Sequence, residues 1–505
     1  MRFSYSTTLL VLFFNISFGY SQNLSLSSMF CDHMVLQRDV LVPVWGKAMP
    51  NEKITVTFAS QNKTVIAEDD GKWMIKLSPL AASKEGRKMI VSGSSTLEIL
   101  DVVVGEVWIC SGQSNMQMHV NAIPDIKALI PKSKNIRSFE VKRTVSYEEE
   151  ENVTGEWAIL HPSSAVAFSF AYSLELAKNI PIGIIHSSWG SSSIEAWMPR
   201  DMAGKLPYFN TIMTEFYADT LTQKRIHKAI VSPEGWNGKE DVFMRRQPNI
   251  LYNAMMKPLA PYACRGLIWY QGERNTRYLS KMPEYTKDRW FHRVSGMKEY
   301  GEVLKLWIQR YRKEWNNNQM HFMVIMLPGY GKGTVKNQNI DPQSPTEESF
   351  AWMRESQLKA LELPHTSVVN TIDLGDVDNI HPKDKLPIGK RLALLARRNT
   401  LGENIVAQGP KMHKTTIQRK KIVVHFDNAK GLKTNNSKTP SGFWIADASF
   451  HWKPAKAKIK NQTIVLKSRK IKHPLYVRYA FVGMPIVNLV NGSDLPAYPF
   501  RTDSN

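Results

Sequence analysis

Cysteine, carboxylates and long apolar runs are all scarce in this chain. Its three cysteines, Cys31, Cys110 and Cys264, allow one disulfide at most, and none has the spacing of a metal motif. That excludes a disulfide-stapled scaffold and leaves no metal site to propose. Cys110 and Cys264 lie in apolar runs, where cysteine behaves as a small buried hydrophobe. Asp and Glu number 45 against 66 Lys and Arg, a net charge of +21. Such a balance suits an acidic polysaccharide, an anionic cell surface or a solvated lysine-rich face. The lysines are scattered, with a mild concentration in 411–473, and no zinc-finger spacing or RNA-binding signature accompanies them, which argues against nucleic acid as a partner.

Apolar runs are short: Leu9 to Phe14, among the longest, is far short of the ~20 residues a membrane span needs and is followed by Asn15 and Ser17. With Arg2 before it and Gly19 and Ser21 after it, residues 1–21 read as a secretory signal peptide. Cys31 follows Met29 and Phe30, not a small-residue lipobox. The expectation is an exported protein, periplasmic or extracellular, soluble once the leader is removed and with no membrane span.

What is present is a globular composition, 43% hydrophobic and 22% charged, over a length that suggests about three domains of ~150 residues. Residues 22–100 alternate short apolar and polar positions with regular turns, as in "KITVTFAS" and "KTVIAEDDGKWMIKL", the pattern of an antiparallel β-sandwich. "EDDGKW" reads as a hairpin turn with Gly71 at the position of positive φ. From 101 to 405 apolar strands alternate with longer helical stretches, so a mostly parallel sheet covered on both faces is expected. Residues 201–250 read as an insertion, and β patterning returns over 406–505. In sheets of this kind ligands bind beyond the carboxyl ends of the strands. The polar clusters "CSGQSN", "SSWGSSS", "WYQGERN" and "DNIHP" all fall there.

A serine nucleophile needs an imidazole, an acid that orients it, and donors for an oxyanion. Ser114 follows a buried-strand pattern at the turn where such a hydroxyl is exposed. His381 has Asp378 three residues before it and a helical pattern after it. A D-x-x-H turn lets the carboxylate reach the imidazole, although the same spacing also makes ordinary surface turns. Gly190 can offer a backbone N–H, and Gln271 and Asn275 side-chain amides; singly, each is also a common loop residue.

Together these blocks resemble the sialate O-acetylesterase family of the SGNH-hydrolase superfamily. The resemblance rests on "GQSNM" at 112–116, "SSWGSSSIEAWM" at 187–198, "WYQGERN" at 269–275 and "DNIHPKDKLPIGKRLA" at 378–393. It extends to "DHMVLQRDVLVPVWGKAMP" near the start and "LPAYPFRTD" near the end. It implies a three-layer α/β catalytic region flanked by β-sandwich-like regions and a serine esterase that removes O-acetyl groups from sugars through an acetyl-enzyme. Ser114 would be the nucleophile, His381 the base and Asp378 its orienting acid. The Ser114 and Gly190 N–H groups and the Gln271 amide would form the oxyanion hole, with Glu273 organising the loop and no metal or organic cofactor. Arg274 stands where the family usually has a small residue, and Ser191 replaces a second glycine, changes that bear on substrate choice.

An O-acetylated sialic acid is the implied substrate, with an acetylated plant or algal polysaccharide of the xylan or pectin type as the alternative. A non-catalytic sugar-binding protein using Trp444 and Trp452 is the contrasting class. Its weakness is that a lectin has no need of the serine, histidine and aspartate.

Overall fold

A computed structural model of the chain describes residues 23–232, 237–280, 294–331 and 350–503. The leader expected at 1–21 and four residues of the expected insertion lie outside the described residues.

One long strand organises the molecule, Thr96–Gly112 (β1). Its first residues alternate between exposed and covered, whereas from Val102 onward every residue is buried. It therefore begins as a strand covered on one face and ends as one covered on both. Its pairing changes at Glu106: the first part, up to Gly105, pairs antiparallel with Ser83–Ser92 and parallel with Val35–Gln37. The second part lies parallel between Ile182–Ser188 and Gly266–Tyr270.

Around that second part, the sheet comprises Ile136–Glu140 (β2), Trp157–Ile159 (β3), Ile182–Ser188 (β4), Gly266–Tyr270 (β5), His321–Ile325 (β6) and Thr366–Val369 (β7). The spatial order is β3-β2-β4-β1-β5-β6-β7, parallel throughout except for β3. The chain order reverses on either side of β1, so the carboxyl end of β1 opens at a switch point, where α/β sheets bind ligands.

The helices pair where glycine lets them approach. Ala165–Lys178 (α1) starts at Ser164, whose hydroxyl accepts the Ala167 N–H, and ends at Asn179 in the left-handed conformation. It packs on Leu386–Thr400 (α4) at Gly389, where an added β-carbon would lie 2.4 Å from the Ser169 backbone. Met297–Glu314 (α2) meets Ala351–Leu358 (α3). Three further helices, Pro207–Ala218, Thr220–Val231 and Gly238–Met244, lie within the segment 201–250 expected to be an insertion.

In the N-terminal region, Ser25–Leu26, Val42–Lys47 and Lys72–Leu77 form a three-stranded antiparallel sheet, and Lys53–Phe58 and Gln61–Ile66 extend the pairing that reaches β1. Gly71 takes φ +79 in the expected turn. The division expected at residue 100 falls inside β1, beside Asp101, whose backbone turns to φ +53. The C-terminal region holds two four-stranded antiparallel sheets. It is tied to the central sheet by Tyr498 Oη on the Val368 carbonyl (2.7 Å) and Asn370 Nδ2 on the Pro496 carbonyl (2.9 Å). Arg354 of α3 donates to the Val482 carbonyl. All three cysteines are free thiols, and burial pushes the Cys264 thiol up to about 12. Among the described residues no helix is long and apolar enough to cross a membrane.

Candidate active site

At the carboxyl end of β1 the chain turns through Gly112 at φ +140 into the short helix Ser114–Gln117. A side chain at 112 would meet the Tyr270 carbonyl at 2.2 Å, so only glycine lets β1 and β5 run this close. Gln113 N–H donates to that same carbonyl (3.0 Å), which fixes where the next residue points. Ser114 emerges half-buried, and its Oγ lies 2.7 Å from His381 Nε2.

His381 is held from a loop before α4. Asp376 Oδ1 accepts the N–H groups of Asp378 (2.9 Å) and Asn379 (3.0 Å), and Asn379 Oδ1 accepts that of His381 (2.9 Å). Burial, and then the nearby Lys385 ammonium, lower the imidazole's pKa and favour the neutral form a base requires. The structure thus brings Ser114 and His381 together. Asp378 is exposed, and among the described residues no ion pair joins its carboxylate to His381. The acid within the turn is engaged with backbone, not with the ring.

Gly190 lies beside Ser114, and its N–H donates to Gln117 Oε1 at 2.6 Å. Ser191 follows in the left-handed region at φ +62, its hydroxyl accepting from Arg246 Nη2 at 2.6 Å. Gln271 is fully buried behind this wall. Its amide donates to Asn275 Oδ1 (2.9 Å), Gln113 Oε1 (3.2 Å) and the Ser192 carbonyl (3.2 Å), and its Oε1 accepts from the Tyr300 hydroxyl (2.7 Å). Asn275 likewise donates to Glu195 and Ser295. Both amides brace the loop from beneath and do not line the cavity above Ser114.

That cavity, about 750 Å³, is floored by Ser114, His381 and Glu273 and walled by Arg245, Arg274 and Arg277. Burial, and then the charges of Arg246 and Arg277, push Arg274 down to about 9; Arg246 falls to about 10 for the same reasons, with Arg245 and Arg277 as its neighbours. Asp241 pairs with Arg245 at 3.1 Å. Glu273 sits within a chain of buried contacts: its Oε1 accepts from Asn115 Nδ2 (2.5 Å), and Lys385 Nζ donates to Asn115 Oδ1 (2.5 Å). Burial raises the Glu273 carboxyl, against the Asn115 hydrogen bond. Motif reading gave Asn115, Gln117, Lys385, Arg245 and Arg277 no role. Asn115, Gln117 and Lys385 stand in or beside the quoted blocks, while the two arginines carry no local signal because a different segment places each at the cavity.

Residues 104–397 match the family model described as carbohydrate esterase, sialic acid-specific acetylesterase. The sialate O-acetylesterase of Mus musculus is 26% identical over 526 aligned residues, covering 93% of this chain and 92% of that protein. The sialate O-acetylesterase of Homo sapiens is 25% identical, covering 90% and 86%. The crystal structure of a carbohydrate acetylesterase from Xanthomonas citri superposes with a TM-score of 0.78 at 30% identity, over 95% of this chain and 100% of that one.

Proposed function

This chain belongs to the carbohydrate esterase, sialic acid-specific acetylesterase family, and on that premise we propose that it hydrolyses O-acetyl esters of acid sugars, O-acetylated sialic acids first among them, through a serine mechanism on a three-layer SGNH-type core. The observation that carries the mechanism is the 2.7 Å contact between Ser114 Oγ and His381 Nε2 at the floor of the cavity. Ser114 Oγ attacks the acetyl carbonyl carbon and its proton passes to His381 Nε2. The oxyanion is received by the N–H groups of Ser114 and Gly190, the latter released from Gln117, while Gln271 holds the loop that carries Gly190. The carbonyl re-forms, the C–O bond to the sugar breaks, and the sugar oxygen takes the proton from His381. Water then attacks the acetyl-serine, gives a proton to His381 and releases acetate as that proton returns to Ser114.

The arginine wall supports an anionic sugar. Arg245, Arg274 and Arg277 line the cavity, and burial, with the charges of Arg246 and Arg277 beside it, disfavours the charge on Arg274. A substrate carboxylate laid against them would favour that charge. The test is acetate release from O-acetylated sialic acids and from p-nitrophenyl acetate, wild type against Ser114→Ala. Loss of about 10³-fold or more on both, the scale of a deleted nucleophile, upholds the reading. Unchanged turnover by Ser114→Ala ends it, and cleavage of the model ester alone moves the substrate to another acetylated sugar.

A further inference from the structure

Lys385 is wholly buried, an unusual place for an ammonium group, which is costly to strip of water unless it is paired. Its Nζ donates to Asn115 Oδ1 at 2.5 Å and lies 5.2 Å from the centre of the Tyr270 ring. Asn115 is the residue after the proposed nucleophile. Its Nδ2 donates in turn to Glu273 Oε1 (2.5 Å) and to the carbonyl of Ile380 (3.0 Å), the residue before the proposed base. One amide therefore grips both sides of the Ser114–His381 contact, and the lysine grips the amide.

We propose that Lys385 is a positioning residue for the esterase reaction: acting through Asn115, it locks the turn bearing Ser114 to the loop bearing His381 and to Glu273. This rests on the serine mechanism proposed above and adds to it what keeps the pair aligned. The carboxamide is free to pivot about its last bond; with Lys385 on its oxygen, its nitrogen must face Glu273 and the Ile380 carbonyl. Glu273 serves as the far anchor, its second carboxylate oxygen buried with no hydrogen-bond partner among the described residues. Lys385 immediately precedes α4, so the rigid helix fixes its backbone.

The same ammonium bears on the imidazole. Burial pushes Lys385 down to about 7, Glu273 working against that fall. Over the acidic range in which His381 titrates the lysine is thus protonated, and it holds the imidazolium in disfavour. The other charged or titratable groups facing His381 are Glu273, Arg274 and Arg277 from the segment after β5, Arg245 from the segment 201–250, His119 and Tyr330. Asp376, Asp378 and Asp384 belong to its own exposed loop.

The experiment is the pH profile of kcat/KM for p-nitrophenyl acetate in wild type, Lys385→Gln, Lys385→Met and Lys385→Arg, with thermal unfolding of each. Lys385→Gln keeps a donor for Asn115 without charge, so the acid limb should move to higher pH while kcat falls modestly. Lys385→Met removes both, and kcat should fall about 10- to 100-fold, the cost of a small misplacement of reacting groups, with the same upward move of the limb. Lys385→Arg should restore the acid limb. Should Lys385→Met fail to fold, the glutamine and arginine variants decide alone. Variants that unfold at lower temperature yet keep the wild-type kcat and acid limb would overturn the proposal. If Ser114→Ala is fully active, the serine mechanism itself has failed, a result separable from any Lys385 profile.

Discussion

At the scale of single residues, the site is a competition for a few hydrogen-bond groups. The Gly190 N–H, proposed to receive the oxyanion, is already engaged by Gln117. Catalysis therefore requires exchanging one acceptor for another, and a neutral hydrogen bond is worth roughly 0.5–1.5 kcal/mol net. Gln117→Ala is expected to raise kcat/KM for p-nitrophenyl acetate by about 2- to 10-fold, read from steady-state kinetics; a lowered kcat/KM would show that Gln117 holds the loop and does not obstruct it. The lowered pKa of His381 gives the sign of the pH response. With the neutral imidazole as the proposed base, and burial and Lys385 disfavouring its protonation, the acid limb of kcat/KM should lie below the ordinary histidine value of about 6.5. A pH-rate profile checks this. Asp378, exposed and not paired with the ring, should matter far less than the serine. Asp378→Asn is expected to lose no more than about fivefold in kcat/KM, about 1 kcal/mol of barrier.

At the scale of elements, the strand ends were legible because buried parallel strands read as apolar runs and their polar ends stand out. Ser114 and His381 emerged from that pattern and meet in space. The fate of Gln271 was not legible: its oxygen is claimed by Tyr300 of α2 and its nitrogen by Gln113 and Ser192, partners no local periodicity announces. Of the arginine wall only Arg274, inside the "WYQGERN" block, was legible; Arg277 lies two residues beyond that block and Arg245 comes from the segment 201–250, far from it in sequence. Helix pairing carries its own prediction. At Gly389 the β-carbon of an alanine would press within 2.4 Å of the Ser169 backbone, so Gly389→Ala should overpack the α1–α4 contact and cost about 1–3 kcal/mol, measured by denaturant unfolding.

At the scale of the whole molecule, the regions are bound by buried charge as well as by the sheet. Glu106, fully buried in β1, accepts from Arg38 of the N-terminal region (2.6 Å) and from Arg265 just before β5 (2.8 Å). Glu106→Gln would leave Arg265 without its carboxylate and Arg38 with Asp39 alone, and a loss of about 3 kcal/mol is expected, seen as a lowered midpoint in denaturant with both regions unfolding together. The composition made a division near residue 100 look natural, since the pattern changes there. Asp101 explains why: its left-handed backbone interrupts the alternation, and its carboxylate receives His33 (2.7 Å) and Arg137 (3.0 Å), while the strand itself continues.

That continuity has a consequence for how the chain matures. Synthesis runs from the N-terminus, and regions tend to fold in the order they emerge. The first part of β1 pairs with Val35–Gln37 and Ser83–Ser92, all of them already made when it appears. Its second part waits for Ile182–Ser188 and Gly266–Tyr270. During that interval the nascent chain presents a pre-aligned edge, anchored at one end, onto which the later strands can dock in register. The turn bearing Ser114 can gain its Gln113-to-Tyr270 hydrogen bond only once the chain up to Tyr270 has been made.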